Sequence, residues 1–254
     1  MIMIEIANIL EETIAESNDL SPSWGEIKEY NEHMRYRYRL TLDDITSVGK
    51  QLRVLEIGAF TGVVSVSLKK MGYSVTAHDI PFIVEDKSMK HFLVNNNVEC
   101  VGLDLQDTVF PIQDEKFDLI VFNEVLEHLC FNAIPLLREF NRLLDNGGRV
   151  YCATPNLACL RNRVYLSRGK GFLSPISSLL LQLQPGMATS VGLHWREWTK
   201  DELVELFNAS GFHVDRHWYR QHIRGIKIRN RIVNALYTVF PALQPGQVGV
   251  FKKD

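Results

Sequence analysis

The chain has 254 residues, and its 28 lysines and arginines nearly balance its 30 aspartates and glutamates, which gives a formal net charge of −2. Apolar residues make up 46% of the chain and charged residues 23%, as in an ordinary globular protein. These values exclude a disordered chain, a collagen-like fibre and a disulfide scaffold, and the near-zero net charge argues against a protein that coats nucleic acid by charge alone.

The first fifty residues predict a helical extension. Isoleucines are spaced between acids over residues 1–17 in an amphipathic pattern, and residues 23–40 combine aromatic side chains with three arginines. The five acids among the first 20 residues are unlike the basic start of a signal peptide. No apolar run reaches the roughly 20 residues of a membrane-spanning helix. We therefore expect a cytoplasmic protein without a transmembrane segment.

From residue 51 onward, short apolar runs alternate with helical patterns. Strands are predicted at residues 51–57, 73–78, 98–103, 117–122, 149–153, 212–219 and 247–252. Helices are predicted at residues 61–71, 125–144, 199–210 and 225–240, and Thr199 with Glu202 forms a capping box at the start of the third of these. This alternation predicts one α/β domain over residues 51–254, with a doubly wound, mostly parallel sheet.

Residues 155–195 interrupt the alternation. They contain no acid between residues 155 and 193, four basic residues between 161 and 170, and an apolar stretch at 172–183. An insertion of this length is either a lid over a substrate or a helical pair packed on the sheet.

A strand, a glycine-containing turn and a helix follow one another in residues 54–62, which read VLEIGAFTG. Gly58 allows a sharp turn and the close approach of a ligand to the backbone. Phe60 stands where the dinucleotide-binding fingerprint has its second glycine, and no P-loop pattern is present. Glu56 would repel a phosphate but can hold a cation or a ligand amine. The segment therefore favours a positively charged cofactor over a dinucleotide.

Further acids follow the second and third predicted strands. Asp79 comes about 20 residues after the turn, where an acid can accept both ribose hydroxyls of an adenosine. Asp104 can accept the adenine amino group, with Leu103 and Leu105 against the ring. A single acid in such a place is often only a turn or cap residue. Acids after three successive strands, counting Glu56, are typical of a cofactor site.

The motifs of this chain occur in the order LEIGAFTG, Asp79, GLDLQD, FDLIVFNEVLEHL, LLDNGGRVYCATPN and HWREWTKDELVELFNASGF. In this order they resemble the class I S-adenosylmethionine-dependent methyltransferases over residues 51–212. The resemblance implies a Rossmann-like sheet of seven strands, one of them antiparallel. The cofactor contacts that it implies are Glu56, Gly58, Ala59, Phe60, Gly62, Asp79, Asp104, Leu105 and Asn123. Asn123 and Glu124 would lie beside the sulfonium methyl group.

Glu124, Glu127 and His128 have the spacing that places three side chains on one face at the start of the predicted helix. Acids at a helix N-terminus and a Glu124–His128 pair would explain the spacing structurally. Together with His194, the set resembles that of the metal-dependent small-RNA 2′-O-methyltransferases, and a related Glu/Glu/His set occurs in ubiquinone-biosynthesis O-methyltransferases. The resemblance implies that Glu124, Glu127, His128 and His194 bind a divalent ion such as Mg²⁺ or Mn²⁺. The alternative is catalysis by Glu124, His128 and His194 without a metal, with His194 as a base or substrate contact.

A second basic cluster bears on the charge of the acceptor. It consists of Arg216, Arg220, Arg224, Lys227, Arg229 and Arg231. With the acid-free insertion, this cluster is either a solvated surface or the contact for an anionic small molecule, such as a phosphate-bearing glycolipid, a nucleotide sugar or RNA. The apolar stretch at 172–183 favours a lipid-linked acceptor or a partner surface.

The predicted reaction is O-methylation of a sugar or sugar-containing metabolite, because the layout resembles bacterial methyltransferases of cell-surface polysaccharides. RNA 2′-O-methylation is an alternative, although no RNA-binding appendage is visible. A non-catalytic scaffold with the same fold is the other alternative, but it would have no need of the acids at the ends of the strands.

Overall fold

The structure is a computed structural model that describes residues 2–23, 25–112, 116–181, 192–221 and 228–254. Its strands are β1 (Arg53–Ile57), β2 (Ser74–Asp79), β3 (Glu99–Gly102), β4 (Phe117–Asn123), β5 (Leu144–Pro155), β6 (Phe212–Arg220) and β7 (Gly246–Lys253). In the described residues these seven strands form one sheet in the order β3-β2-β1-β4-β5-β7-β6. β2 is parallel to both β1 and β3, whereas β6 and β7 are antiparallel. The predicted sheet is therefore confirmed.

Helices connect most of the strands. They are α1 (Ile2–Asn18), α2 (Lys28–Val48), α3 (Val63–Lys70), α4 (Pro81–Val84), α5 (Lys87–Asn95), α6 (Ala133–Leu143), α7 (Leu160–Ser167), α8 (Ile176–Leu181), α9 (Lys200–Asn208) and α10 (Ile228–Val239). Single 3-10 turns lie at Leu105–Asp107, Leu126–His128 and Pro241–Leu243. No helix within the described ranges combines the length and the apolar composition needed to cross a membrane.

The prediction of one continuous helix over residues 125–144 is wrong. The chain makes a 3-10 turn at Leu126–His128, continues with an extended Leu129, and starts α6 only at Ala133. Asn132 explains where α6 begins, because its side-chain oxygen accepts the N–H of Ile134 at 3.0 Å and so caps the first turn. Within residues 125–144, the predicted helix is therefore confirmed only for α6.

Two short helices after β2, α4 and α5, were not predicted. Pro81 occupies the first position of α4, where a missing N–H costs nothing. Asp86 caps α5 by accepting the N–H groups of Ser88 and Met89. Both signals are present in the sequence, so these helices could have been found from their N-terminal residues.

The chain divides into two compact units. One comprises Met1–Val121 and Arg142–Arg149, and the other comprises Phe122–Asn141 and Val150–Asp254. In the first unit, α1 and α2 pack against each other and against α3. In the second, the ring of Phe207 stacks on that of Phe251, with 3.7 Å between the centroids, and meets Phe212 edge-on. The parts of the insertion that are described include α7 and α8, while residues 182–191 lie outside the described ranges.

The predicted capping box at α9 is confirmed, and it yields a stability prediction. The hydroxyl of Thr199 accepts the N–H of Glu202, and the Glu202 carboxylate accepts the N–H of Thr199. Replacing Thr199 with Ala should lower the free energy of unfolding by about 1 kcal/mol, because one N–H of the first turn loses its acceptor. Thr199→Ser keeps the hydroxyl and should stay within about 0.3 kcal/mol of the wild type. Urea denaturation measures both, and equal losses in the two variants would contradict the assigned cap.

Candidate cofactor and catalytic site

The loop between β1 and α3 is held by the end of β2. The N–H groups of Gly58 and Ala59 both donate to the carbonyl oxygen of His78 at 2.9 Å, and the N–H of Phe60 donates to Asp79 Oδ2 at 2.8 Å. Gly58 has a φ of 75°, which suits glycine, but Phe60 has a φ of 43°. A bulky residue at positive φ costs roughly 1–3 kcal/mol and persists only where its surroundings fix it. These hydrogen bonds supply part of that constraint.

Glu56 and Asp79 are acids in an environment that opposes their negative charge. Burial raises the pKa of Glu56 to about 8, against a hydrogen bond from the Ser65 hydroxyl that lowers it, and the charge of Asp79 raises it further. Burial also raises the pKa of Asp79 to about 6, although the N–H groups of Phe60 and Ile80 stabilise its ionised form. Two such acids favour a cationic ligand, because a nearby positive charge would stabilise both carboxylates.

The other predicted cofactor residues are placed as follows. Asp104 is exposed and caps the turn at Leu105–Asp107 by accepting the N–H of Gln106 at 3.0 Å, and Leu105 is buried. Gly62 is the N-cap residue of α3 and has a φ of 71°, and a Cβ there would lie 3.2 Å from Leu93. The structure thus gives Asp104 and Gly62 local structural roles, and their cofactor contacts stay a prediction. Asn123 is the last residue of β4, in the second unit.

His78 is a residue of this region that the sequence analysis missed. It is buried beside Phe110, and its Nε2 lies 3.0 Å from the carbonyl oxygen of Leu103. Since a carbonyl can only accept, Nε2 carries the proton. Burial lowers the pKa of His78 to about 4, so the ring is neutral at pH 7. This hydrogen bond connects the end of β2 to Leu103, which follows β3.

In the second unit, the segment around His194 is bound to the turn at Leu126–His128. His128 Nδ1 lies 2.7 Å from the carbonyl oxygen of Leu193, and the N–H of Trp195 donates to the carbonyl oxygen of Glu127 at 2.8 Å. The His128 and His194 rings meet edge-on with 5.1 Å between their centroids. A hydrogen bond between the His128 ring and a backbone carbonyl 65 residues away, together with the backbone bond from Trp195 to Glu127, therefore positions these two rings.

Three of the four predicted metal ligands converge. Glu127, His128 and His194 each offer one ligand atom, and these atoms lie within 4.8 Å of one another. Glu127 is fully buried, and its Oε2 accepts a hydrogen bond from the Thr154 hydroxyl at 3.0 Å. Its Oε1 lies 3.9 Å from His128 Nε2.

Glu124, the fourth predicted ligand, is not in this cluster as the described residues define it. The prediction that it shares a helix face with Glu127 and His128 is wrong, because no α-helix forms there. Glu124 has a left-handed φ of 56°, and its N–H donates to the carbonyl oxygen of Ala153 at 2.8 Å. Burial lowers the pKa of His128, and the negative charge of Glu124 opposes part of that lowering.

Glu197 and Asn162 support His194, and the sequence analysis missed this function of both residues. His194 Nδ1 lies 3.2 Å from Glu197 Oε1, and Glu197 Oε2 accepts a hydrogen bond from Asn162 Nδ2 at 2.6 Å. Both supporting side chains are buried. The His-x-x-Glu spacing was a usable signal for Glu197, whereas nothing in the sequence singled out Asn162.

These contacts select the ring tautomers. The Leu193 carbonyl and the Glu197 carboxylate are acceptors, so Nδ1 carries the proton in His128 and in His194. In the neutral form of either ring, the lone pair is then on Nε2. Burial lowers the pKa of His128, and the neighbouring His194 lowers it further, while the Leu193 carbonyl and Glu124 raise it. A neutral His128 at pH 7 can act as a metal ligand or as a proton acceptor.

The predicted basic face is confirmed only in part. The exposed basic residues of the insertion are Arg161, Arg163, Arg168 and Lys170. In the second cluster Arg216 is exposed, but Arg220 is buried, so its place in a solvent-facing cluster is wrong. The side chains of Arg224, Lys227, Arg229 and Arg231 lie outside the described residues.

A family model described as a methyltransferase domain matches residues 30–217, well over half of the chain. The chain belongs to the class I S-adenosylmethionine-dependent methyltransferases. Membership of this family supports S-adenosylmethionine as the cofactor.

Two curated relatives are similar to this chain at less than 30% identity. A ubiquinone biosynthesis O-methyltransferase of Coxiella burnetii is 29% identical over 157 residues, which cover 59% of this chain and 64% of the relative. The chain thus matches less than two thirds of that protein's length. The mitochondrial ubiquinone biosynthesis O-methyltransferase of Schizosaccharomyces pombe is 22% identical over 219 residues, which cover 82% of this chain and 72% of the relative.

Solved structures share the fold. A methyltransferase of Streptomyces caelestis superposes with a TM-score of 0.60 at 15% identity and covers 86% of this chain and 96% of its own. A magnesium protoporphyrin IX methyltransferase of Synechocystis, solved with bound S-adenosylhomocysteine, has a TM-score of 0.56 at 15% identity, with coverage of 91% and 90%. At these identities the likeness establishes the architecture alone.

The raised pKa of Glu56 predicts a pH-dependent stability. Between pH 4.5 and about 8, the folded chain keeps a proton on Glu56 that the unfolded chain has already released. Folding without ligand should therefore become less favourable as the pH rises through that window. Glu56→Gln removes the titrating group, so its stability relative to the wild type should rise from pH 4.5 to pH 8, as measured by urea denaturation. The exposed Glu99→Gln in β3 is the control, and an effect of Glu56→Gln that is independent of pH would contradict this assignment.

Proposed function

We propose that the protein transfers a methyl group from S-adenosylmethionine to an acceptor hydroxyl, and that the acceptor carries two neighbouring hydroxyls. The observation that carries the proposal is the convergence of Glu127, His128 and His194. Two imidazoles in their neutral form, together with a buried carboxylate, can deprotonate or polarise a hydroxyl. The relatives named as O-methyltransferases support the same type of acceptor atom.

For the cofactor, the proposed residues are those at the ends of β1 and β2. Bound S-adenosylmethionine supplies a methyl group that its sulfonium charge activates toward a nucleophile. Glu56 and Asp79 complement that positive charge, and Asp79 can accept hydrogen bonds from ribose hydroxyls. The hydrogen bonds around Gly58 and Phe60 keep the loop in one shape before the ligand binds, which reduces the entropic cost of binding.

At the proposed acceptor site, the ligand atoms of Glu127, His128 and His194 suit a divalent cation. The donor set contains one oxygen and two nitrogens, and Thr154, the Leu193 carbonyl and Glu197 orient it in the manner of outer-shell partners. Two imidazoles suit Mn²⁺ better than Mg²⁺, which prefers oxygen. A bound ion would lower the pKa of an acceptor hydroxyl. In a metal-free reaction, His194 Nε2 would take the hydroxyl proton while Glu197 holds the opposite edge of the ring.

Two classes of small molecule offer neighbouring hydroxyls. A sugar or sugar-containing metabolite is the first, and the exposed basic residues of the insertion support one that bears phosphate. An aromatic diol with an apolar tail is the second, supported by the names of the curated relatives and by the exposed Leu173, Ile176 and Leu180. RNA with a terminal ribose diol is a third source of the same chemistry.

A panel of acceptors distinguishes these sources. Transfer of labelled methyl from S-adenosylmethionine would be measured to nucleotide sugars, to catechols with alkyl tails and to a short RNA, each with a partner compound in which one hydroxyl of the diol is already methylated. The proposal expects transfer to diols and little to the blocked compounds. Equal transfer to both would remove the diol requirement. Cofactor binding without transfer to any acceptor class would favour a non-catalytic scaffold.

The cofactor assignment predicts the effect of changing Asp79. Asp79→Ala should weaken the binding of S-adenosylmethionine and S-adenosylhomocysteine by at least about 2 kcal/mol, because two charged hydrogen bonds to the ribose are lost. Isothermal calorimetry measures the change, and NAD should not bind to the wild type. Asp201→Ala, which removes an exposed acid in α9, is the control. Unchanged affinity in Asp79→Ala would exclude this residue from the cofactor site.

The acceptor assignment predicts that metal binding depends on His194. Titration with Mn²⁺, followed by electron paramagnetic resonance, should show one bound ion in the wild type and a large loss of affinity in His194→Ala. The affinity for S-adenosylhomocysteine should not change, because the proposed cofactor residues are different. His213→Ala, at an exposed histidine of β6, should bind like the wild type. If the wild type binds no Mn²⁺ and EDTA leaves the rate of transfer intact, His194 acts as a base without metal.

A further inference from the structure

Four side chains from α1, α2 and the loop after β1 form a closed ring of hydrogen bonds. Ser17 Oγ lies 3.0 Å from the backbone carbonyl oxygen of Thr61, and Asn31 Nδ2 lies 3.1 Å from Ser17 Oγ. The Tyr38 hydroxyl lies 3.2 Å from Asn31 Oδ1 and 3.0 Å from Thr61 Oγ1. Thr61 closes the ring, because its carbonyl and its hydroxyl are both used.

The direction of each bond is determined by the groups present. A backbone carbonyl only accepts, so the Ser17 hydroxyl donates to Thr61, and the Asn31 amide donates to Ser17. The Tyr38 hydroxyl donates to the Asn31 oxygen, so Thr61 Oγ1 donates to Tyr38. Every hydroxyl proton has one acceptor. All four residues are buried, and a buried polar network that is fully satisfied is rigid.

Thr61 is part of the proposed cofactor loop, residues 58–62. It follows Phe60, with its positive φ, and precedes Gly62, the N-cap residue of α3. His78 and Asp79 hold the first part of this loop through backbone N–H groups. The hydrogen-bond ring holds the part that follows. In addition, the aromatic rings of Tyr30 in α2 and Phe60 meet edge to face, with 4.8 Å between their centroids. The loop is thus fixed by β2 before Thr61 and by the N-terminal helices at Thr61.

We propose that Ser17, Asn31 and Tyr38 are positioning residues for cofactor binding, which they promote by holding loop residues 58–62 in the binding conformation. The inference rests on the proposed cofactor site and extends its machinery into the N-terminal helices. The apparent dissociation constant of a ligand is its intrinsic value divided by the fraction of protein in the competent conformation. Breaking the ring lowers that fraction and weakens the cofactor without removing a group that touches it.

Two matched tyrosine variants test the proposal. Tyr38→Phe opens the ring. Tyr73→Phe removes another buried tyrosine hydroxyl of the same unit, one that donates to the Gly49 carbonyl at 2.7 Å, away from the loop. Both should lose stability to a similar extent. Tyr38→Phe removes two hydrogen bonds of the ring, and only the one with Thr61 reaches the loop. This variant alone should therefore weaken S-adenosylhomocysteine by about fivefold in calorimetry, the effect of that one hydrogen bond, and should speed amide exchange in residues 58–62.

A double-mutant cycle isolates the contact. Thr61→Val removes the other hydroxyl of the pair, and the double variant with Tyr38→Phe should bind no more weakly than the weaker single variant. Ser17→Ala opens the ring at another bond and replaces Tyr38→Phe if that variant does not fold. Affinities within twofold of the wild type in Tyr38→Phe and Ser17→Ala, or an equal loss in Tyr73→Phe, would overturn the proposal. A wild type that binds no S-adenosylhomocysteine would overturn the proposed function, and this inference with it.

Discussion

The carbonyl oxygen of His78 accepts two successive N–H groups, those of Gly58 and Ala59, and much of the first unit depends on this shared acceptor. It fixes the direction in which the chain leaves β1. As a consequence, the N–H of Phe60 meets Asp79, and Thr61 falls where the N-terminal helices can hold it. The sharp turn, the acid at the end of β2 and the start of α3 are therefore parts of one arrangement.

Burial acts on the two groups of proposed functional residues in complementary ways. In the first unit it raises the pKa of Glu56 and Asp79, and in the second it lowers the pKa of His128. Each shift favours the uncharged form of its group. A cation would reverse the first effect, and neutral imidazoles are what a cation or a hydroxyl proton requires. The same physical effect thus prepares one group for a charged cofactor and the other for proton removal.

The strands of the sheet could be predicted from the sequence because a buried parallel strand is a continuous apolar run. Such a run can be recognised without knowing which strands lie beside it. Glu56, Gly58 and Asp79 were found for the same reason, since they stand where those runs end. The turn at Leu126–His128 was missed because the backbone groups that fix it, at Leu193 and Trp195, are distant in sequence. Asn162 was missed likewise, since its importance comes only from its contact with Glu197.

Glu56 also couples ligand binding at the proposed cofactor site to the release and uptake of protons. With a pKa of about 8, this carboxyl is mostly protonated at pH 7 when no ligand is bound, and a cation beside it displaces the proton. S-adenosylmethionine carries one positive charge more than S-adenosylhomocysteine, so reactant and product would displace different fractions of a proton. Each turnover would then include the release of a fraction of a proton when S-adenosylmethionine binds and its uptake again once the sulfonium charge is lost. Binding heats compared in buffers of different ionisation enthalpy would count those protons for each complex.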